Sequence, residues 1–256
     1  MKFFVYMFSF AMLLVFTAPV MAENINDIKF PASGWDGNLY AGAQAGGSIL
    51  ADIEHFEVAE PPLNDSKETM EELKYLKEIA KTERTKDAVE RIHYENNGGK
   101  AHNFFMKEGL IDINNYKTID LMVMIDIDHT YFILERKKHF SRPRPSQLAP
   151  DLELVISNPK HPAYPSGHAS QTYMVALVLA AFDPDNAEIY KQFAVDVAHR
   201  REIAGVHYPS DSVAGRKLAV DVLAKLRTIP AFEKKFQEAK VTYIKPNLES
   251  AASSDE

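Results

Sequence analysis

Three short stretches concentrate side chains able to grip an anion and move protons. The first, Lys137-Lys138-His139-Phe140-Ser141-Arg142-Pro143-Arg144-Pro145, places four permanent cations within eight residues of a chain whose formal net charge is −7. Its prolines stiffen the backbone and would present Arg144 rigidly. A guanidinium suits two-pronged contact with phosphate oxygens, and lysine adds a point charge. Basic residues at a helix end also commonly do no more than complement the helix dipole. The second, Tyr164-Pro165-Ser166-Gly167-His168, opens an apolar run. Ser166 is a good N-cap, and the first backbone N–H groups of a helix make a ready anion site. Gly167 leaves room for the anion to reach them, and His168 lies at the positive end of the dipole. Pro-Ser before a helix is equally a plain cap. The third, Arg201-Glu202-Ile203-Ala204-Gly205-Val206-His207-Tyr208-Pro209-Ser210-Asp211, sets His207 and Asp211 on either side of a turn at Pro209. Asp211 can then accept a hydrogen bond from one ring nitrogen of His207 and leave the other as a lone pair. An imidazole held that way can itself be the nucleophile. Alone, the stretch also reads as a helix capped at Ser210 with an incidental histidine. Together, the cations, the helix-start anion site and the two histidines stand in the order that one phosphoryl-transfer site needs.

The elements that must position these groups read as helices. From Ser66, the residues Met70, Leu73, Leu76, Ile79 and Ala80 recur at three- and four-residue spacing. Asn96-Asn97-Gly98-Gly99 reads as a turn or mobile loop. Tyr116 to Phe140 reads as a long helix, and Ser141 to Pro165, with its six prolines, as mostly loop. Ser166 to Phe182 is helical and apolar enough to be buried. Asn186 to Val206 and Ser210 to Arg227 are further helices, and Pro230 precedes a short one. Residues 23–64 read as an irregular arm ending at Glu60-Pro61-Pro62, and no strand pairs or internal repeats stand out. The expected fold class is all-α, a helical bundle whose irregular loops carry the site.

Composition bounds the rest. The chain has 256 residues, 46% hydrophobic and 25% charged, enough for a substantial core. It has no cysteine, which excludes disulfides and thiolate metal sites. The acidic balance excludes bulk attraction to nucleic acid, so an anionic substrate must be drawn by a local basic cluster. Met1-Lys2, the apolar run Phe3 to Ala18, Pro19 and Val20-Met21-Ala22 read as a secretory signal peptide cut before Glu23, with an uncleaved anchor as the alternative. The expected organisation is a signal peptide over 1–22, one all-α domain over 23–247 and a disordered acidic tail over 248–256. Export to the periplasm or the medium follows, with no stable membrane insertion once the signal is removed.

The pattern Lys137…Arg144-Pro145, then Pro165-Ser166-Gly167-His168, then Arg201…His207…Asp211 resembles that of the type-2 phosphatidic acid phosphatase superfamily. The signal peptide, the size and the stretch Lys81-Thr82-Glu83-Arg84 are similar to the secreted bacterial class A nonspecific acid phosphatases. The resemblance implies that Lys137, Arg144 and Arg201 bind the phosphoryl oxygens, helped by Ser166 and the Gly167 N–H. His207 would attack phosphorus to give a phosphohistidine, oriented by Asp211. His168 would protonate the leaving alcohol and then activate water. No metal and no cofactor are implied, substrates would be small phosphate monoesters, and self-association is a family trait. The family usually has Ser immediately before the third-motif Arg, where this chain has Arg200. Preplaced cations would stabilise the transition-state charge, and two histidines of opposite protonation state give a bell-shaped pH profile. Dense positive charge lowers the nucleophile's pKa and favours activity below neutrality.

Three other readings share these residues. Vanadium-dependent haloperoxidases resemble the same motif set. A serine hydrolase would use Ser166, His207 and Asp211, without a Gly-x-Ser-x-Gly elbow or a preceding strand. A non-catalytic phosphate-binding protein would need the anion site alone. Asp126-Ile127-Asp128-His129 looks like a metal cluster, yet Asp126 and Asp128 diverge on a helix and read as structural. His55, His93, His102, His129, His139, His161 and His199 have no assigned role and read as exposed polar side chains, with His199 and Arg200 near enough to Arg201 to support it.

Overall fold

The structure, a computed structural model, describes residues 24–248. The expectations for 1–22 and for most of the acidic tail lie outside them. In chain order the α-helices are α1 (Gly37–Gly42), α2 (Lys67–Thr82), α3 (Lys86–Asn97), α4 (Ala101–Lys107), α5 (Tyr116–Phe140), α6 (Pro145–Leu148), α7 (Gly167–Phe182), α8 (Ala187–Ile203), α9 (Pro209–Leu226) and α10 (Pro230–Val241). Short 3-10 turns occur at Ile25–Asp27, Ala32–Gly34 and Pro184–Asn186. No strand occurs among the described residues, and the fold class is all-α as expected. None of the described helices is long and apolar enough to cross a membrane.

Local chemistry explains most boundaries. Ser66 caps α2 by accepting from Thr69 N, Thr85 caps α3 from Ala88 N, and Ser166 caps α7 from Ala169 N. Proline stands at the start of α6, α9 and α10, where its missing N–H costs nothing. α5 ends at Ser141, in the left-handed conformation with φ 49°, and Ser141 N closes on Lys137 O. The helix therefore stops one turn beyond Lys137 and hands the chain to the arginine-bearing loop.

Several expectations need correcting. Asn96 and Asn97 belong to the last turn of α3, and the chain turns only at Gly98-Gly99. The last turn is tied to α8 by the Glu95–Arg200 ion pair. The arm holds one helical turn and a half at α1, capped by the Asp36 carboxylate. The proline-rich loop contains α6. Met70 is exposed, because the buried stripe of α2 runs through Thr69, Glu72, Leu73, Leu76 and Ile79. The helix over 209–226 begins at Pro209, capped at Tyr208 rather than at Ser210.

α7 is the central helix, packed on α5, α8 and α9 and contacted by α4. The larger core joins Phe105, Ile125, Phe132, Val178, Leu179, Leu218 and Phe236. A second cluster joins Leu76 and Ile92 to Leu152, Ile203, Val206 and Tyr208, beside the loops that carry the site. α9 approaches α7 so closely that a Cβ on Gly215 would stand 2.5 Å from Ser166 O. Gly205, at φ +79° and pressed against Leu154 and the Glu153 carbonyl, turns the chain out of α8 toward His207.

Asp128 ties the N-terminal arm to α5. It is fully buried and accepts from the backbone N–H groups of Ser48 (2.7 Å), Ile49 (2.9 Å) and Leu50 (3.0 Å). Asp126 on the same helix instead meets Lys100, Thr130 and Gln171, so the two carboxylates diverge as read from sequence. Asp128→Ala strands those donors, and the unfolding free energy from urea titration should fall by about 2–4 kcal/mol. His199 links α8 to α2, bonded to Glu202 and, at 2.7 Å, to Glu83. These hydrogen bonds, against the opposing effect of burial, raise its pKa to about 9. A raised folded pKa gives stability that is complete below about pH 6.5 and is lost as pH rises through about 9. The urea midpoint should therefore decline across that window, and His199→Gln should flatten the decline.

Candidate functional site

The sequence-predicted residues meet where the end of α5, the 141–165 loop, the start of α7 and the α8–α9 turn converge. Lys137, Arg144, Arg201 and His207 are all within 1% of complete burial. Lys137 Nζ donates to Pro162 O (2.8 Å) and Ala163 O (2.9 Å), the carbonyls just before the α7 cap. Arg144 donates to His161 O and Val206 O, and its Nη1 lies 3.0 Å from His207 Nε2. Arg201 Nη2 donates to Asn96 Oδ1 at 3.3 Å, while its Nε and Nη1 have no hydrogen-bond partner among the described residues. Such buried donors can take an anion or a water as partner.

Asp211 sits at N3 of α9. Its Oδ2 accepts from Tyr208 N (3.0 Å) and lies 2.9 Å from His207 Nδ1. A carboxylate accepts, so Nδ1 carries the proton and Nε2 presents a lone pair toward Arg144. Burial, and then Arg144, Lys137 and Arg201, hold the His207 pKa well below the ordinary histidine range. Burial comes first for His168 too, followed by Arg201, with a hydrogen bond to the Glu95 carbonyl acting in the opposite direction. Burial pulls the guanidinium of Arg144 down to about 9 and that of Arg201 to about 10. It takes the Lys137 ammonium well below the lysine range, an effect Arg144 deepens and Asp211 opposes.

Ser166 Oγ is used as the α7 cap, its N–H donates to Asp211 O, and no hydrogen bond joins it to His207 among the described residues. That removes the geometry a Ser166–His207–Asp211 relay requires. A Cβ built on Gly167 meets the protein only at ordinary contact distance, 3.7 Å from Ile133. Neither packing nor backbone conformation demands glycine there. Gly167 and His168 keep some solvent exposure and mark the open side of the cluster.

Other residues complete the cluster without having been singled out as site residues from sequence. Arg142 donates to Asp211 Oδ1 (2.6 Å), Ser210 Oγ (2.7 Å) and Glu72 Oε2 (3.0 Å), and lies over the Tyr208 ring. Glu72 also accepts from Ser210 N at 2.6 Å. The available signal was Glu72 itself, a carboxylate on the apolar stripe of α2. His161, expected as an exposed polar side chain, sits 3.0 Å from Arg144 Nη2 and beside Trp35. His129 is likewise buried and bonded to Ser170 Oγ at 2.7 Å, and His102 is buried on α4. Arg84, from the stretch 81–84, braces the turn by donating to Ile203 O and Glu153 O.

Comparison with known proteins places this geometry. Residues 120–231 match the family model described as the PAP2 superfamily. Non-specific acid phosphatases of Salmonella typhi and Salmonella typhimurium are each 34% identical over 110 residues, 41% of this chain and 43% of theirs. That of Providencia stuartii is 35% identical over 86 residues, 34% of this chain and 35% of its own. The chain thus spans less than half the length of the curated relatives it matches. A solved structure described as the first bacterial vanadium-dependent iodoperoxidase superposes with a TM-score of 0.62 over 83% of this chain and 63% of that one. At 16% identity this likeness is one of fold. The segment that matches the PAP2 superfamily model, residues 120–231, contains Lys137, Arg144, Ser166, His168, Arg201, His207 and Asp211.

Proposed function

We propose that the protein is a metal-independent acid phosphatase that hydrolyses small phosphate monoesters through a phosphohistidine. The observation that carries this reading is the His207 imidazole, with Nδ1–H bound to Asp211 and Nε2 3.0 Å from the buried Arg144, while buried Lys137 and Arg201 help hold its pKa down. The names of the curated relatives support the reaction class. Export, with removal of residues 1–22, belongs to the same reading.

The Nε2 lone pair of His207 forms the N–P bond as the P–O bond to the leaving group breaks. Asp211 stabilises the imidazolium character that develops. His168 gives its proton to the departing oxygen. Lys137, Arg144, Arg201 and the α7 N-terminus hold the equatorial oxygens, where transition-state charge gathers. In the second step His168 takes a proton from water, the hydroxide attacks phosphorus, the P–N bond breaks and inorganic phosphate leaves. Arg144 already donates toward His207 Nε2, so the incoming phosphoryl group takes over a donor that is preplaced.

Attack needs His207 neutral and departure needs His168 protonated, and both histidines are held below the usual range. Lowered pKa values keep the nucleophile free in acid and strip the acid of its proton as pH rises. The kcat/KM profile for p-nitrophenyl phosphate in EDTA, from pH 4 to 9, should peak below neutrality. His207→Ala should lose at least about a thousandfold. Activity that survives in that variant, or that rises steadily toward alkaline pH, contradicts the assignment. The cations and His207 equally fit vanadate, so the same preparation with vanadate, peroxide and halide is the companion assay. Halide oxidation without phosphatase turnover would transfer the assignment to a haloperoxidase, and phosphate binding without either activity to a binding protein.

A further inference from the structure

The last turn of α3 touches both halves of the site, and its anchor lies outside the three motifs. Glu95 is buried, and its backbone carbonyl lies 3.2 Å from His168 Nε2. Its neighbour Asn96 accepts from Arg201. The Glu95 side chain runs the other way, to α8. Glu95 Oε1 accepts from Arg200 Nε at 2.8 Å, and Arg200 Nη2 stands 2.7 Å from the same oxygen without hydrogen-bond geometry. Glu95 Oε2 has no hydrogen-bond partner among the described residues. From α4, Phe104 lies nearly parallel to the His168 ring, with centroids 6.3 Å apart and planes 14° from parallel, and Tyr94 packs edge-on against Phe104.

A carbonyl oxygen only accepts, so the 3.2 Å contact places a proton on His168 Nε2. That leaves Nδ1 as the nitrogen whose proton comes and goes. The ring is held at Nε2 by the carbonyl, with Phe104 alongside, in the way an oriented catalytic histidine needs a partner on its second nitrogen. The carbonyl belongs to a short helix whose end is joined to α8 through Arg200 at Glu95 and through the adjacent, phosphate-side Arg201 at Asn96. An arginine is the suitable residue for this link: its fork reaches a buried carboxylate that a serine at 200 would leave unpaired.

We infer that the Glu95–Arg200 ion pair is a positioning device for His168, fixing the α3 carbonyl against Nε2 so that Nδ1 delivers its proton to the leaving group. The inference rests on the reading of His168 as the acid in the proposed reaction. Glu95 and Arg200 are positioning residues and touch no reacting atom.

General-acid assistance matters most for poor leaving groups. A phenolate of low pKa departs without a proton, whereas an alkoxide does not. A general loosening of the fold would depress both classes of substrate alike. The test compares kcat/KM for an alkyl phosphate and for 2,4-dinitrophenyl phosphate in the wild type, Arg200→Ala, Glu95→Gln, Arg200→Lys and His168→Ala. Circular dichroism and urea midpoints run alongside. Arg200→Ala should lose about tenfold or more on the alkyl ester and less than about threefold on the dinitrophenyl ester. Glu95→Gln keeps the side-chain shape and an acceptor for Arg200, so it should fall between wild type and Arg200→Ala even where the alanine variant is poorly folded. Arg200→Lys, which retains the charge, should recover part of the alkyl-ester rate. Equal losses on both esters in Arg200→Ala and Glu95→Gln, with His168→Ala still selectively impaired on the alkyl ester, overturn the positioning role and leave the acid assignment standing. A His168→Ala variant with no leaving-group dependence overturns the acid assignment, and the inference with it.

Discussion

The structure is organised around burying positive charge. Lys137, Arg142, Arg144 and Arg201 are all within 2% of complete burial, and among the described residues only the carboxylates of Asp211 and Glu72 are paired with any of them. Charge taken out of water is costly unless it is met by opposite charge or by well-placed dipoles. Here the two methods are divided. Arg142 takes both carboxylates. Lys137 and Arg144 are met by carbonyls of residues 161–163 and 206, which explains why the loop before α7 is rigidly proline-laced. Arg201 is left least satisfied. The positive potential is thus supported by dipoles that cannot neutralise it, which is the condition under which an arriving dianion gains most.

Asp211 is where the site and the fold meet. One carboxylate accepts from Arg142, from the Tyr208 N–H at the start of α9 and from His207. Its own backbone carbonyl accepts from the Ser166 N–H. The same residue therefore terminates the turn, begins a helix, fixes the His207 tautomer and ties α9 to the α7 cap. Close approach of the two helices, permitted by Gly215, lets one short residue serve all of these. It also explains why the third motif needs its fixed spacing. Gly205 sets the direction of the chain after α8, and Pro209 sets where α9 starts.

Much of this was legible in the sequence, for identifiable reasons. α5 spans the expected 116–140, because a long apolar periodicity and a cluster of basic residues define both its body and its end. α7 begins where Ser166 caps it. The motif residues stood out only in combination, because each stretch alone also reads as a helix cap or a basic helix end. What stayed hidden depends on partners distant in the chain. Arg142 looked like one more basic residue until α2 supplied Glu72. Asn96-Asn97-Gly98-Gly99 carries every local sign of a turn, yet α3 persists through Asn97, and the Glu95–Arg200 link between distant helices ties its last turn to α8. His161 and His129 looked like surface residues because imidazole is compatible with either environment, and only packing decides.

On the proposed reading, the resting hydrogen bonds also bear on turnover. Lys137 and Arg144 begin with carbonyl partners, so binding phosphate exchanges hydrogen bonds at these two residues. Arg201 has two nitrogens without partners among the described residues and gains outright. Exchange contributes little to ground-state affinity, because bonds formed replace bonds lost. It contributes more as charge accumulates on the equatorial oxygens, when a charged acceptor outbids a neutral carbonyl. A site built this way grips substrate and product phosphate only moderately and reserves its stabilisation for the transition state, which is the distribution of binding energy that raises kcat. The arrangement needs the cations held in place before the anion arrives, and that follows from the buried, carbonyl-braced loop between α5 and α7.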